Sequence, residues 1–263
     1  MIEDIIEPGL SSELSPESYI VSNLDLAPDD SKFILFCGGK KIGSVGNLVT
    51  IIGKPKARKT TFAHAILSSA IGGGERLGFG VRLPKGKRDI ILIDTEQDRN
   101  DIAAALQRLK LQGDIASFAD FENFKVYSAN TLTPKEIEIL LINIFRQNNK
   151  IGLLMIDGLL DMVTDMNCVD ECSRVLANIR KLAITNKCLI VTVLHSSKTT
   201  GYSIGHLGSF AERKSQSLLS VEKDKDESSS TISAQYMRSD QAFKPITIFY
   251  DQIKRCYVNS EVF

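Results

Sequence analysis

A short stretch after the first fifty residues has the makings of an anion cradle. Gly53-Lys54-Pro55-Lys56-Ala57-Arg58-Lys59-Thr60, followed by Thr61, has the GxxxxGK[ST] layout. In that layout backbone N–H groups and a helix N-terminus surround a polyphosphate. Lys59 then contacts the β- and γ-phosphates of a nucleotide, and Thr60 holds Mg²⁺ through its hydroxyl. One position departs: Arg58 stands where the motif has glycine. Glycine there permits close backbone approach, so an arginine either crowds the phosphates or contacts them with its charge. A plain basic loop would have the same composition. The order of strand, loop, Lys-Thr-Thr and helix favours a nucleotide site.

Two carboxylates complete the candidate chemistry. Asp157 ends the apolar run Leu153-Leu154-Met155-Ile156-Asp157, which suits a carboxylate aimed from a buried strand at the Mg²⁺ of a phosphate site. An aspartate in a turn after a strand would look the same on its own. Glu96, in Ile93-Asp94-Thr95-Glu96-Gln97, is placed at the end of another strand. There it can orient a water against the γ-phosphate and accept its proton. The competing reading is charge complementarity at the start of the helix near Asp98. Gly158 follows Asp157, so the position where many such sites carry this glutamate is vacant. Asp94 alternates with Glu96 and is the weaker candidate.

These residues need elements to hold them. Asn47–Gly53, Asp89–Glu96, Gly152–Gly158 and Cys188–His195 are short apolar runs rich in branched residues and read as buried strands. Between them lie helical patterns. Phe62, Ile66 and Ala70 share one face, Ile102, Leu106 and Leu109 another, and Val175, Ile179 and Leu182 a third. Asp98 caps the second helix, and Thr133-Pro134-Lys135-Glu136 is a capping-box start for a further one. Strands apolar throughout, alternating with helices, predict an α/β fold with a mostly parallel central sheet flanked by helices. Ser217–Lys223, the run ending at Arg238 and Lys244–Asp251 read as antiparallel strands at the C-terminal end. Residues 1–30 lack periodicity and read as an N-terminal arm or extension, with one catalytic domain over 31–263.

A phosphate loop, a glutamate on the next strand and a distant strand-end aspartate resemble the RecA-like P-loop ATPase class. Within it the chain is most similar to the RepA-type, DnaB-like hexameric replicative helicases. The resemblance covers roughly residues 45–250, including the segment Ile71–Gln97, in which a glycine-containing stretch precedes the strand bearing Glu96, and the long gap from Lys59 to Asp157. It implies ATP and Mg²⁺ as cofactors, single-stranded DNA as partner, a homo-oligomeric ring, and a primase or initiator protein as a further partner. It also makes His195, at the end of its strand, a γ-phosphate sensor, though a strand-end histidine bonded to a carbonyl would look alike. The Ser-, Thr- and Gly-rich segment Ser196–Phe210 becomes a DNA-contact loop, with Lys198 on phosphate and Tyr202 stacking a base. Arg213 adds charge nearby, as a solvated helix face also would. Arg238 matches an arginine finger acting in trans, with Tyr236 where relatives carry a lysine.

Composition sets limits. Lys+Arg and Asp+Glu are 32 each in 263 residues, so DNA binding needs a local patch. Five cysteines with no CxxC pattern read as reduced thiols in the cytoplasm, and no apolar run of about 18 residues suggests a membrane span. The acidic start is unlike a signal peptide, and the lack of a primase or zinc segment assigns priming to a partner. Three functions compete: a motor on single-stranded DNA, a recombination or repair ATPase that forms filaments, and a nucleotide-switched loader that barely hydrolyses. Arg58, Tyr236 and the neutral charge favour the loader. Glu96, Asp157, His195 and Arg238 together favour a working ATPase.

Overall fold

The chain builds a small antiparallel sheet around its phosphate loop before it completes the large one. In the computed structural model, residues 29–196, 205–225 and 228–259 are described. β1 (Phe33–Cys37), β2 (Lys40–Ser44) and β3 (Leu48–Gly53) lead to the loop and to α1 (Lys59–Gly72). Then β4 (Glu75–Arg76) and β5 (Phe79–Val81) return to β1, giving a four-stranded sheet in the order β2-β1-β5-β4. The rest is β6 (Asp89–Asp94), α2 (Arg99–Gly113), β7 (Phe124–Ser128), α3 (Pro134–Gln147), β8 (Ile151–Asp157), α4 (Val169–Thr185), β9 (Leu189–His195) and α5 (Gly205–Lys214). β10 (Ser217–Lys223), β11 (Ser229–Met237), β12 (Ile246–Asp251) and β13 (Cys256–Asn259) end the described chain.

The large sheet has nine strands in the order β13-β12-β11-β10-β3-β9-β8-β6-β7. β10, β3, β9, β8, β6 and β7 run parallel to one another, and β11, β12 and β13 are added by antiparallel pairing. The apolar runs arise because both faces are covered. Val49, Ile51, Leu92, Met155 and Val191 face a core shared with α1, α2 and the small sheet. Leu48, Ile52, Ile93, Ile156 and Ile190 face a second core under α3, α4 and α5. α1 is buried on nearly all sides because α2 and the small sheet enclose it, with Phe62 edge-on to Phe79 at 6.5 Å. Truncating such a phenylalanine costs about 3–5 kcal/mol, against about 1 kcal/mol for the Thr133 cap, whose capping box forms as expected. The core therefore fixes the sheet and the caps trim its helices.

Four local expectations need correction. β6 ends at Asp94, so Glu96 belongs to the turn beyond the strand. β10 is antiparallel to β11 but parallel to β3, since it adds to the parallel sheet before the chain turns back. The segment expected to be a loop to Phe210 is helical from Gly205, where Leu207 and Ala211 turn inward. Short strands β1, β2, β4, β5, β7 and β13 escaped the pattern reading. The expected arm, residues 1–30, falls almost wholly outside the described residues, among which no helix is long and apolar enough to cross a membrane.

Candidate active site

β3 delivers the phosphate loop to the end of the sheet where β6, β8 and β9 also finish. Gly53 is required there, because a Cβ would stand 2.5 Å from the Val221 carbonyl. The loop turns through Lys56 and Arg58, both left-handed at φ 63° and 67°, and enters α1 with no side chain capping it. The Thr61 and Phe62 N–H groups bond the Arg58 carbonyl, and a helix N-terminus without a side-chain cap favours an anion.

Arg58 adopts the backbone conformation that glycine would supply, and its side chain does not lie over the loop. Its Nη1 donates to the Ser229 carbonyl and the Ser230 hydroxyl, both at 2.8 Å, and its Nε donates to the Tyr257 hydroxyl at 3.1 Å. The guanidinium also lies 5.5 Å from the Tyr257 ring centre. A left-handed non-glycine residue costs about 1–2 kcal/mol, and charge-assisted hydrogen bonds contribute about 1.5–3 kcal/mol each when buried. Even discounted for partial exposure, the contacts offset the strain. The two expectations for Arg58, crowding or touching the phosphates, both give way to a link toward β11 and β13.

Lys59, only 6% exposed, donates to the Lys54 carbonyl at 3.1 Å and meets His195 Nδ1 at 3.0 Å. Burial lowers its pKa, opposed by Glu96 and Asp157. An ammonium has no acceptor, so His195 Nδ1 accepts and Nε2 carries the proton toward Glu96 Oε1, 3.1 Å away. That hydrogen bond, ahead of the burial that opposes it, holds the Glu96 carboxyl below its usual range. His195 therefore joins the lysine and the carboxylate in one chain.

Glu96 reaches this point through Asp94 and Thr95. Asp94 Oδ1 accepts the N–H groups of Glu96 (3.1 Å) and Gln97 (2.8 Å), and its Oδ2 accepts from Gln97 Nε2 (2.7 Å). Asp94 is thus a shaping residue for the turn. The Thr95 hydroxyl, 2.7 Å from Asp161 Oδ2 and within 3.0 Å of the Asp157 and Gly158 carbonyls, ties the turn to the end of β8. Gly158, at φ 108°, has no room for a side chain: a Cβ would lie 2.0 Å from Thr95 Oγ1 and 3.0 Å from Glu96 Cγ. The glutamate missing after Asp157 is replaced in space by Glu96 from the neighbouring turn.

Asp157 is 3% exposed, and its Oδ2 has no hydrogen-bond partner. Burial and then the neighbouring Asp94 push its carboxyl up to about 7, while a hydrogen bond with the Thr60 side chain pulls it down. An orphaned buried carboxylate oxygen beside the Thr60 hydroxyl fits a divalent cation. Among the described residues no cluster of three or more His, Cys, Asp or Glu is arranged to hold a metal by itself, so such a cation needs phosphate oxygens or water to complete its shell.

Other expected site residues lie apart. β10 and β11 align Gly53 with Val221 and Ile232, and Val49 with Ser217 and Met237. Arg238, just past Met237, is therefore at the opposite end of the sheet from its own phosphate loop, about 13 Å along the strands. Its Nη2 donates to the Arg213 carbonyl. Arg213 shares that end, stacked 4.7 Å over Phe210. Tyr236 packs against the second core, its hydroxyl unpartnered and pushed up to about 12 by burial. Lys198 and Tyr202 lie outside the described residues.

The sequence reading missed a cleft of ≈ 170 Å³ beside the loop, lined by Thr60, Thr61, His64, Arg108, Gln112 and Tyr257. A histidine on the inward side of the motif's own helix was the available signal.

No family model and no curated protein matches the chain. Its fold is similar to the crystal structure of the RadB recombinase, with a TM-score of 0.57 and 13% identity, over 85% of this chain and 94% of that one. The architecture is the RecA-like α/β core, with a mostly parallel sheet and antiparallel strands at its C-terminal end.

Proposed function

We propose that this RecA-like core binds ATP with Mg²⁺ and hydrolyses it as a head-to-tail homo-oligomer on single-stranded DNA, in recombination or repair. The observation that carries the reading is the chain Lys59–His195–Glu96, set at the phosphate loop beside the unpartnered oxygen of Asp157. In this reading residues 54–61 cradle the phosphates and Lys59 leaves His195 for the γ-phosphate. Thr60 and Asp157 hold Mg²⁺, which neutralises charge on the phosphate oxygens when bound. Glu96, kept ionised by His195, orients the attacking water and takes its proton. His195 registers the loss of the γ-phosphate at the foot of the Ser196–Phe210 segment, where Lys198 and Tyr202 are the proposed DNA contacts and Arg213 a third. Arg238 completes the site of an adjacent subunit.

The likeness to the RadB recombinase supports the recombination or repair role over the RepA-like ring helicase that motif order suggests. The helicase is the second reading, with its hexamer and primase or initiator partner. Five free cysteines suit a cytoplasmic setting. The deciding experiment is steady-state ATP turnover with and without single-stranded DNA, with mass measured in the same buffer. DNA-stimulated turnover by filaments supports the first reading, and a closed ring that unwinds duplex supports the second. Tight ATP binding without turnover or DNA response refutes both and leaves a nucleotide-switched loader.

A further inference from the structure

The cleft beside the loop is lined by Thr60, Thr61 and Glu96, residues of the candidate phosphate site, together with His64, Arg108 and Tyr257. Thr60 and Thr61 open α1 at the phosphate loop, and His64 follows one turn further along the same helix. Tyr257 is held there by Arg58, so one wall of the cleft is fastened to the phosphate loop itself. His64 projects from α1 and is 5% exposed. The backbone of Ala105 takes one hydrogen bond from its ring, and its Nε2 has no partner. Burial and the nearby Arg108 hold the imidazole neutral, with a pKa of about 4. A neutral imidazole whose proton is engaged elsewhere offers a lone pair, and a buried lone pair without a donor is an uncommon feature.

We propose that this cleft takes the base of the bound nucleotide and that His64 Nε2 accepts a hydrogen bond from the 6-amino group of adenine. The assignment rests on the nucleotide-binding reading of the phosphate loop and adds its base selectivity. Guanine presents a carbonyl oxygen at the same position, which meets the histidine lone pair as acceptor against acceptor. Selection thus comes from an unmatched polar pair, the kind of mismatch that rejects an analogue most strongly. The Tyr257 ring supplies an apolar face beside the base.

Equilibrium titration calorimetry of the whole chain with ADP and with purine riboside 5′-diphosphate, which lacks only the amino group, tests the assignment. The wild-type protein is expected to bind ADP about tenfold more tightly, the effect of one hydrogen bond to a group otherwise left unsatisfied. His64→Phe should bring the two affinities together, and His64→Gln, which keeps an acceptor, should retain a preference for ADP. Equal wild-type affinities overturn the role of His64 even if no variant folds, as does an unchanged ratio in folded His64→Phe. Failure of both diphosphates to bind overturns the nucleotide site itself, and the selectivity with it.

Discussion

The guanidinium of Arg58 donates to the hydroxyl of Tyr257, 199 residues later in the chain, and ties the phosphate loop to the antiparallel end of the sheet. Arg58→Gly removes a left-handed non-glycine residue but also removes that tie. Because the lost contacts outweigh the relieved strain, the variant should be less stable by about 1 kcal/mol, a fall of about 2–4 °C in melting temperature. It should still bind nucleotide through Lys59 and Thr60. Differential scanning calorimetry with a nucleotide titration checks both statements. A variant more stable than the wild type would show that the tie contributes nothing.

Lys59 and Glu96 share His195 but have separate tasks in the proposed reaction. Lys59→Ala should abolish ATP turnover, and turnover that survives would remove the phosphate-loop assignment. Glu96→Gln keeps the shape and loses the base, so ATP binding should persist while turnover falls by about 10²–10⁴-fold. Single-turnover kinetics separates the two effects.

Asp157 gives a pH-dependent signature. Its folded pKa of about 7 lies above the value of about 3.9 expected when unfolded. Between those values the folded state holds the extra proton, so stability falls as pH rises through the window. The cost is fully present above pH ~7 and absent below ~4. Asp157→Asn should therefore melt higher than the nucleotide-free wild type at pH 8. That advantage should shrink on acidification, while Mg²⁺-dependent turnover is lost. A variant less stable than the wild type at pH 8 would remove burial of the charge as the cause.

Arg238→Ala should leave stability and ATP binding close to wild type, since the side chain is exposed, and should remove hydrolysis. Mixing it with Glu96→Gln protein should restore part of the activity, because each supplies what the other lacks at a shared interface. Mixtures as inactive as their parts would place Arg238 outside the reaction.

Much of this architecture could be read locally. The runs at β3, β6, β8 and β9 are apolar because each is buried on both faces, and Thr133 with Glu136 announces α3 through a bond three residues long. Lys59, Glu96, Asp157 and His195 were legible because each ends or follows such a run. What escaped depends on distant partners. The direction of Arg58 is set by Ser229, Ser230 and Tyr257, and the parallel pairing of β10 by its register on β3. His64 was hidden because only α2 and β13, brought in by the fold, make a cleft around it. The short strands β4 and β5, of two and three residues, are too brief to leave a pattern.

Arg238 and the phosphate loop stand at opposite ends of the same sheet. In the reading proposed above, such a protomer offers a cation at one end and asks for one at the other, so its self-association would have a direction. On that proposal a solitary protomer would have no complete reaction centre, and an open string would have one fewer than its members. Only circular closure equalises the two numbers. Turnover per protomer should then climb with concentration even at saturating ATP. The shape of that climb distinguishes a string that keeps growing from a circle that stops.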